Sequence, residues 1–130
     1  MKQPHTRPLT QPFFLNLLQI QMPVGAITSI LHRLTGVLLA VGVPIGMFLL
    51  WRSLHGEAGF AQVMSLLHHR AFQVVWVVLV WALAHHVLAG VRHMLSDINI
   101  GSTLHSARRS AWTVNLTAVA IALLALAVLP

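Results

Sequence analysis

The chain contains no cysteine. A disulfide scaffold, an all-thiolate iron–sulfur site and a haem attached through Cys-x-x-Cys-His are therefore all excluded. Acidic side chains are nearly as scarce: Glu57 and Asp97 are the only carboxylates, too few for paired-carboxylate hydrolysis carried out by this chain alone. Charge of either sign is low, at 8% of residues, against about 25% in an ordinary soluble domain. With 57% of the 130 residues hydrophobic, a water-soluble globule is not expected, and the length suits one domain. There is no internal repeat and no low-complexity tract. What the chain does have is nine histidines and a net charge of +6. The basic residues are scattered over predicted helix ends and form no single stripe, so a nucleic-acid partner is not expected.

The fixed charges divide the sequence into three long uncharged stretches, residues 34–51, 71–91 and 110–130. Each approaches or exceeds the roughly 20 apolar residues with which a helix crosses the hydrocarbon layer. An all-α integral membrane protein follows, with helices expected at about 23–52, 68–95 and 108–129 in a single membrane-anchor domain spanning 1–130. Residues 1–22 carry Pro8, Gln11, Pro12, Asn16 and Gln19 and are expected to stay outside the lipid, because unpaired polar groups are costly there. Residues 53–67, with Gly56 and Gly59 as breakers, read as an outer connection, and residues 96–106 as a polar inner loop and docking surface. Trp51 and Trp112 fall at helix ends, where indoles favour the membrane boundary, while Trp76 and Trp81 read as deeper packing residues. Pro44 is expected to bend the first helix.

Lys2, Arg7, Arg33, Arg92, Arg108 and Arg109 fall on one side, and Arg52 and Arg70 on the other. This asymmetry puts the N-terminus in the cytoplasm. The opening residues show neither a secretory cleavage pattern nor an organelle presequence, and a bacterial inner membrane is the expected address.

In the second predicted helix, His86, Gly90, His93 and Asp97 stand at i, i+4, i+7 and i+11, one face at about 100° per residue. His85 and Arg92 share another. A neutral imidazole two turns inside the boundary is a common way for a membrane helix to hold a haem iron, and Gly90 would remove a side chain that collides with the porphyrin. The competing account of His86 is a structural hydrogen bond to a neighbouring helix. Arg92 and His93 suit either haem propionates or lipid phosphates. In the first helix Ser29, His32, Arg33 and Gly36 stand at i, i+3, i+4 and i+7 and form one wall at the lipid edge. A hydroxyl, a titratable ring and a cation there match what two-electron, two-proton reduction of a lipid quinone requires. Basic anchoring with a serine back-bond accounts for the same residues.

Together these motifs resemble the cytochrome b membrane anchor of succinate dehydrogenase, respiratory complex II. The resemblance rests on Arg7-Pro8, on Ser29-Ile-Leu-His-Arg-Leu-Thr-Gly36, and on His86-Val-Leu-Ala-Gly-Val-Arg-His-Met-Leu-Ser-Asp97, and it covers essentially the whole chain. It implies a bundle with a second small anchor that holds one haem b between the two subunits, each giving one axial histidine. The iron ligand would be His86, with His32, Arg33 and His93 near the propionates and Ser29 and Arg33 lining a ubiquinone pocket. Implied partners are the second anchor, an iron–sulfur subunit, a flavoprotein subunit and membrane lipid, in a complex that can form a trimer of heterotetramers. Succinate would be oxidised at the flavin, and its electrons would reach quinone through iron–sulfur clusters. Many relatives carry an aromatic residue before the ligand, whereas His85 stands there here; helical phase favours His86 over it. Two other readings stay open at this point: a haem-free structural anchor of a fumarate reductase or related quinone oxidoreductase, and a small transporter using its histidines.

Overall fold

The computed structural model describes residues 22–129, so the expectations for residues 1–21, the Arg7-Pro8 motif among them, lie outside the described residues. Those described form four helices: α1 (Val24–Ser53), α2 (Glu57–Leu67), α3 (Arg70–Asp97) and α4 (Leu104–Ala127), with no strand among them. α1, α3 and α4 are long and apolar enough to cross a membrane. The chain is an all-α, multi-pass membrane protein.

Pro23 stands just outside the first turn of α1. It is the N-cap of α1, extended at φ −64° and ψ 147°, and its carbonyl accepts from the Ala26 amide at 2.9 Å. α1 continues through Pro44, whose ring removes the amide that the Ala40 carbonyl would otherwise receive. The α3–α4 turn places Asn99 (φ 61°) and Gly101 (φ 72°) in the left-handed region, which asparagine and glycine adopt most readily. Thr103 then caps α4, its hydroxyl accepting from the Ser106 amide at 3.4 Å.

α4 thus starts four residues before the expected 108, and Arg108 and Arg109 lie within its first turns. Fixed charges mark where lipid begins, not where the helix does, because arginine reaches water from inside a helix. The larger departure is α2, which occupies residues read as a plain connection. Gly56, at φ 96°, is its N-cap and Glu57 stands in its first turn, a favourable sign at a helix N-terminus. Gly59 is buried and does not break the helix. A Cβ there would run into the Arg52 carbonyl, so glycine lets α2 fold back onto the end of α1. Arg52 also donates to Gln62 Oε1 at 2.9 Å, and Val63 is buried.

Interhelical contacts set the topology. His85 of α3 meets Asn115 of α4, which in turn meets Thr28 of α1; Arg92 reaches Ser110 and Ala107 of α4; Gly42 of α1 lies against Leu79 of α3. α3 is therefore antiparallel to both α1 and α4. The buried apolar residues of the three spans are small: Ala82, Ala89, Ala111, Val114 and Ala118. Alanine lets helices approach closely enough for dispersion and short polar contacts to hold them, since apolar burial gives little driving force inside lipid. Trp81 packs at a tilt on His85, with ring centroids 5.7 Å apart. Trp76, expected as a packing residue, is instead 50% exposed and borders an open apolar cleft between α1, α2 and α3.

Candidate functional site

His85 and His86 are adjacent in sequence and occupy different worlds in the fold. At about 100° per residue, α3 turns His85 into the seam with α4 and His86 toward α1. His85 is fully buried at 0% exposure, and its Nε2 lies 3.1 Å from Asn115 Oδ1. His86 is half-buried, with Nδ1 3.0 Å from the His32 carbonyl oxygen and 3.4 Å from Thr35 Oγ1. A carbonyl can only accept, so Nδ1 of His86 carries the proton and donates it. In the neutral ring Nε2 is then the nitrogen with the free lone pair, and it has no hydrogen-bond partner among the described residues.

His32 and His86 stack at 4.2 Å with 9° between ring planes. Each sits over a glycine of the other's helix: a Cβ on Gly36 would lie 3.0 Å from His86 Cε1, and one on Gly90 would lie 3.4 Å from His32 Nε2. Gly90 was expected to leave room for a porphyrin; in the fold it seats His32. His93 joins the cluster edge-on, 5.2 Å from His32, so His32, His86 and His93 come together, whereas Asp97, expected on the same face, is exposed at the end of α3. Stacking occupies the face of the His86 ring and not the in-plane lone pair of Nε2. These residues fit an axial iron ligand: one oriented imidazole with its tautomer fixed by a backbone carbonyl. His85 does not fit, because no planar group can reach a ring enclosed on all sides.

Ser29 is half-buried and Arg33 exposed. Neither makes a hydrogen bond among the described residues, so the back-bond considered for Ser29 is absent there and both groups are free to meet a ligand. Arg92, by contrast, is spoken for. Its Nε donates to Ser110 Oγ at 3.1 Å and a terminal nitrogen to the Ala107 carbonyl at 3.2 Å, tying α3 to α4.

Over residues 7–126 the sequence matches the family described as succinate dehydrogenase/fumarate reductase transmembrane subunit. The chain belongs to that family. Among similar proteins, the succinate dehydrogenase cytochrome b556 subunit of Coxiella burnetii (strain RSA 493 / Nine Mile phase I) is 33% identical over 106 residues, covering 80% of this chain and 84% of the relative. The subunit of the same name from Paracoccus denitrificans is 29% identical over 118 residues, 91% of each chain.

A succinate dehydrogenase/fumarate reductase transmembrane subunit is a membrane component of an oxidoreductase complex, and in this chain polar side chains meet where the helices do. Three such positions escaped the reading from sequence. Thr35, buried, donates to the Leu31 or His32 carbonyl (both 2.9 Å) while its lone pairs face His86 Nδ1. Thr28 and Asn115 form the seat of His85. Asn115 had a visible signal, being the only carboxamide within residues 110–130; a buried polar side chain in lipid needs a partner. Thr28 and Thr35 had none, since threonine in a membrane helix commonly bonds its own backbone.

Proposed function

We propose that this chain is the cytochrome b anchor of a succinate:quinone oxidoreductase. It pairs with a second small anchor to bind one haem b and to form the site where ubiquinone is reduced. The observation that carries the reading is the His86 ring: Nδ1 held at 3.0 Å by the His32 carbonyl, Nε2 left bare. Haem b, when bound, supplies an iron centre that takes and gives one electron at a time. His86 would hold its iron from this chain, and the second anchor would give another histidine. His32, Arg33 and His93 would hold the propionates.

At the quinone, Ser29 donates its hydroxyl proton in a hydrogen bond to a carbonyl oxygen of the ring. The Arg33 guanidinium, always charged, stabilises the negative charge that builds on that oxygen as electrons arrive. Arg33 sits ten residues into α1, close enough to the boundary for its charge to be tolerated. The electrons come from succinate through the flavoprotein and the iron–sulfur subunit; this cysteine-free chain contributes no cluster. The complex sits in a bacterial inner membrane, N-terminus cytoplasmic, as a trimer of heterotetramers.

Reduced-minus-oxidised optical spectra of the purified complex test the assignment. The parent should show b-type Soret and α bands; His86→Leu should remove or displace them, and His85→Phe should keep them. A fully assembled, colourless complex that reduces ubiquinone at the ordinary rate would overturn the haem reading and leave a haem-free anchor.

A further inference from the structure

The mechanism above does not use His85, yet His85 is the largest fully buried side chain among the described residues, at 0% exposure. Two helices converge on the amide oxygen it touches. His85 Nε2 lies 3.1 Å from Asn115 Oδ1, and Thr28 Oγ1 lies 3.2 Å from the same oxygen and 3.0 Å from the Val24 carbonyl, between which it shares its proton. With Oδ1 as acceptor, His85 carries its proton on Nε2; Nδ1 is a bare lone pair without a partner among the described residues. One residue on, His86 is fixed to α1 by the His32 carbonyl. Consecutive side chains of α3 are thus anchored in directions about 100° apart, one into the α1–α4 seam and one onto α1.

We propose that the Thr28–Asn115–His85 node is a positioning device: it fixes the rotation of α3 about its own axis and so sets the direction in which His86 presents Nε2. Arg92 ties α3 to α4 nearly two turns further on; at the level of His86 itself the node supplies the second anchor, on a different side of the helix from the His32 carbonyl. The side chains of the node hydrogen-bond to none of the residues assigned to the haem or quinone sites, and the node acts through His86. The inference rests on the haem reading of His86.

Electron paramagnetic resonance of the oxidised complex tests it, because the g values of a low-spin ferric haem follow the orientation of its axial imidazole planes. The parent should give one narrow low-spin signal. His85→Phe and Asn115→Leu should retain stoichiometric haem and the optical bands while shifting and broadening that signal. The double variant should resemble either single variant, because each alone already breaks the contact. Thr28→Val should broaden the signal less, and Thr28→Ser should match the parent; this pair decides the matter where the larger changes prevent assembly. Haem-loaded variants with an unchanged signal would overturn the positioning role alone. A parent complex without haem would overturn the reading of His86 on which it rests.

Discussion

Glycine and histidine are matched across the α1–α3 interface, and the two glycines differ in how much room they leave. A methyl group on Gly36 would stand 3.0 Å from His86 Cε1, inside ordinary van der Waals contact, whereas one on Gly90 would stand at 3.4 Å from His32 Nε2. Gly36→Ala is therefore expected to displace the His86 ring and to lower stability by about 1–3 kcal/mol, the usual cost of overpacking. Gly90→Ala should be nearly silent. Thermal unfolding followed by circular dichroism in detergent measures both, and equal losses would mean that the contact with His86 is not what distinguishes them. At the quinone wall, Arg33→Leu and Ser29→Ala leave the histidine cluster intact, because neither side chain bonds to it. Both should impair quinone reduction while sparing succinate oxidation by a soluble artificial acceptor. Arg33→Leu should have the larger effect, since it removes the charge that meets the developing anion; losing one such donor costs other enzymes about 10²–10³ in rate. Equal loss of both activities would instead indicate failed assembly.

At the scale of elements, α4 is held by few directional contacts, and Arg92 makes two of them, to Ser110 and to the Ala107 carbonyl. Hydrogen bonds from charged groups contribute about 1.5–3 kcal/mol each in soluble proteins, less where water reaches the membrane edge. Arg92→Met, which keeps the aliphatic bulk, should therefore loosen the first turns of α4. Faster amide exchange at residues 104–110, with α1 unchanged, is the expected outcome; uniform exchange throughout would place Arg92 outside the α3–α4 joint. The same elements show what a sequence can disclose. The spans were legible because lipid permits few charges, and the separation of His86 from His85 because helical phase is fixed by geometry. α2 was not. Its Gly59 looked like a breaker, and only the backbone of Arg52 lying against it reveals a packing role. The partners of His85 were equally hidden, because nothing along the chain says which face of α4 Asn115 will present to α3. Arg92, read as a headgroup residue from its position near the boundary, was claimed by the Ser110 hydroxyl one turn down the neighbouring helix.

For the whole molecule, the decisive property is that so little of its apolar surface is covered. Val37, Met47, Val74, Leu116 and Leu124 are each about 60% exposed or more, and the buried core is mostly alanine. Three helices so arranged have lipid or a partner subunit on every outer face, and their direction across the bilayer rests on charge alone. The end of the bundle formed by the start of α1, the end of α3 and the start of α4 carries Arg33, Arg92, Arg108 and Arg109, against Arg52 and Arg70 at the other end. Basic residues in short flanks are retained on the cytoplasmic side, so the proposed orientation has the α3–α4 turn inside the cell and α2 on the outer side. Because the chain has no cysteine, single introduced thiols report this without background. Ser102, in the α3–α4 turn, and Glu57, at the start of α2, are both exposed. Glu57→Cys should react with a membrane-impermeant maleimide on the outer face of the intact inner membrane. Ser102→Cys should react only once that membrane is breached or inverted. The opposite pattern would reverse the topology and carry Arg33 and Ser29 away from the cytoplasmic face, where an iron–sulfur subunit could deliver electrons to a quinone held between them.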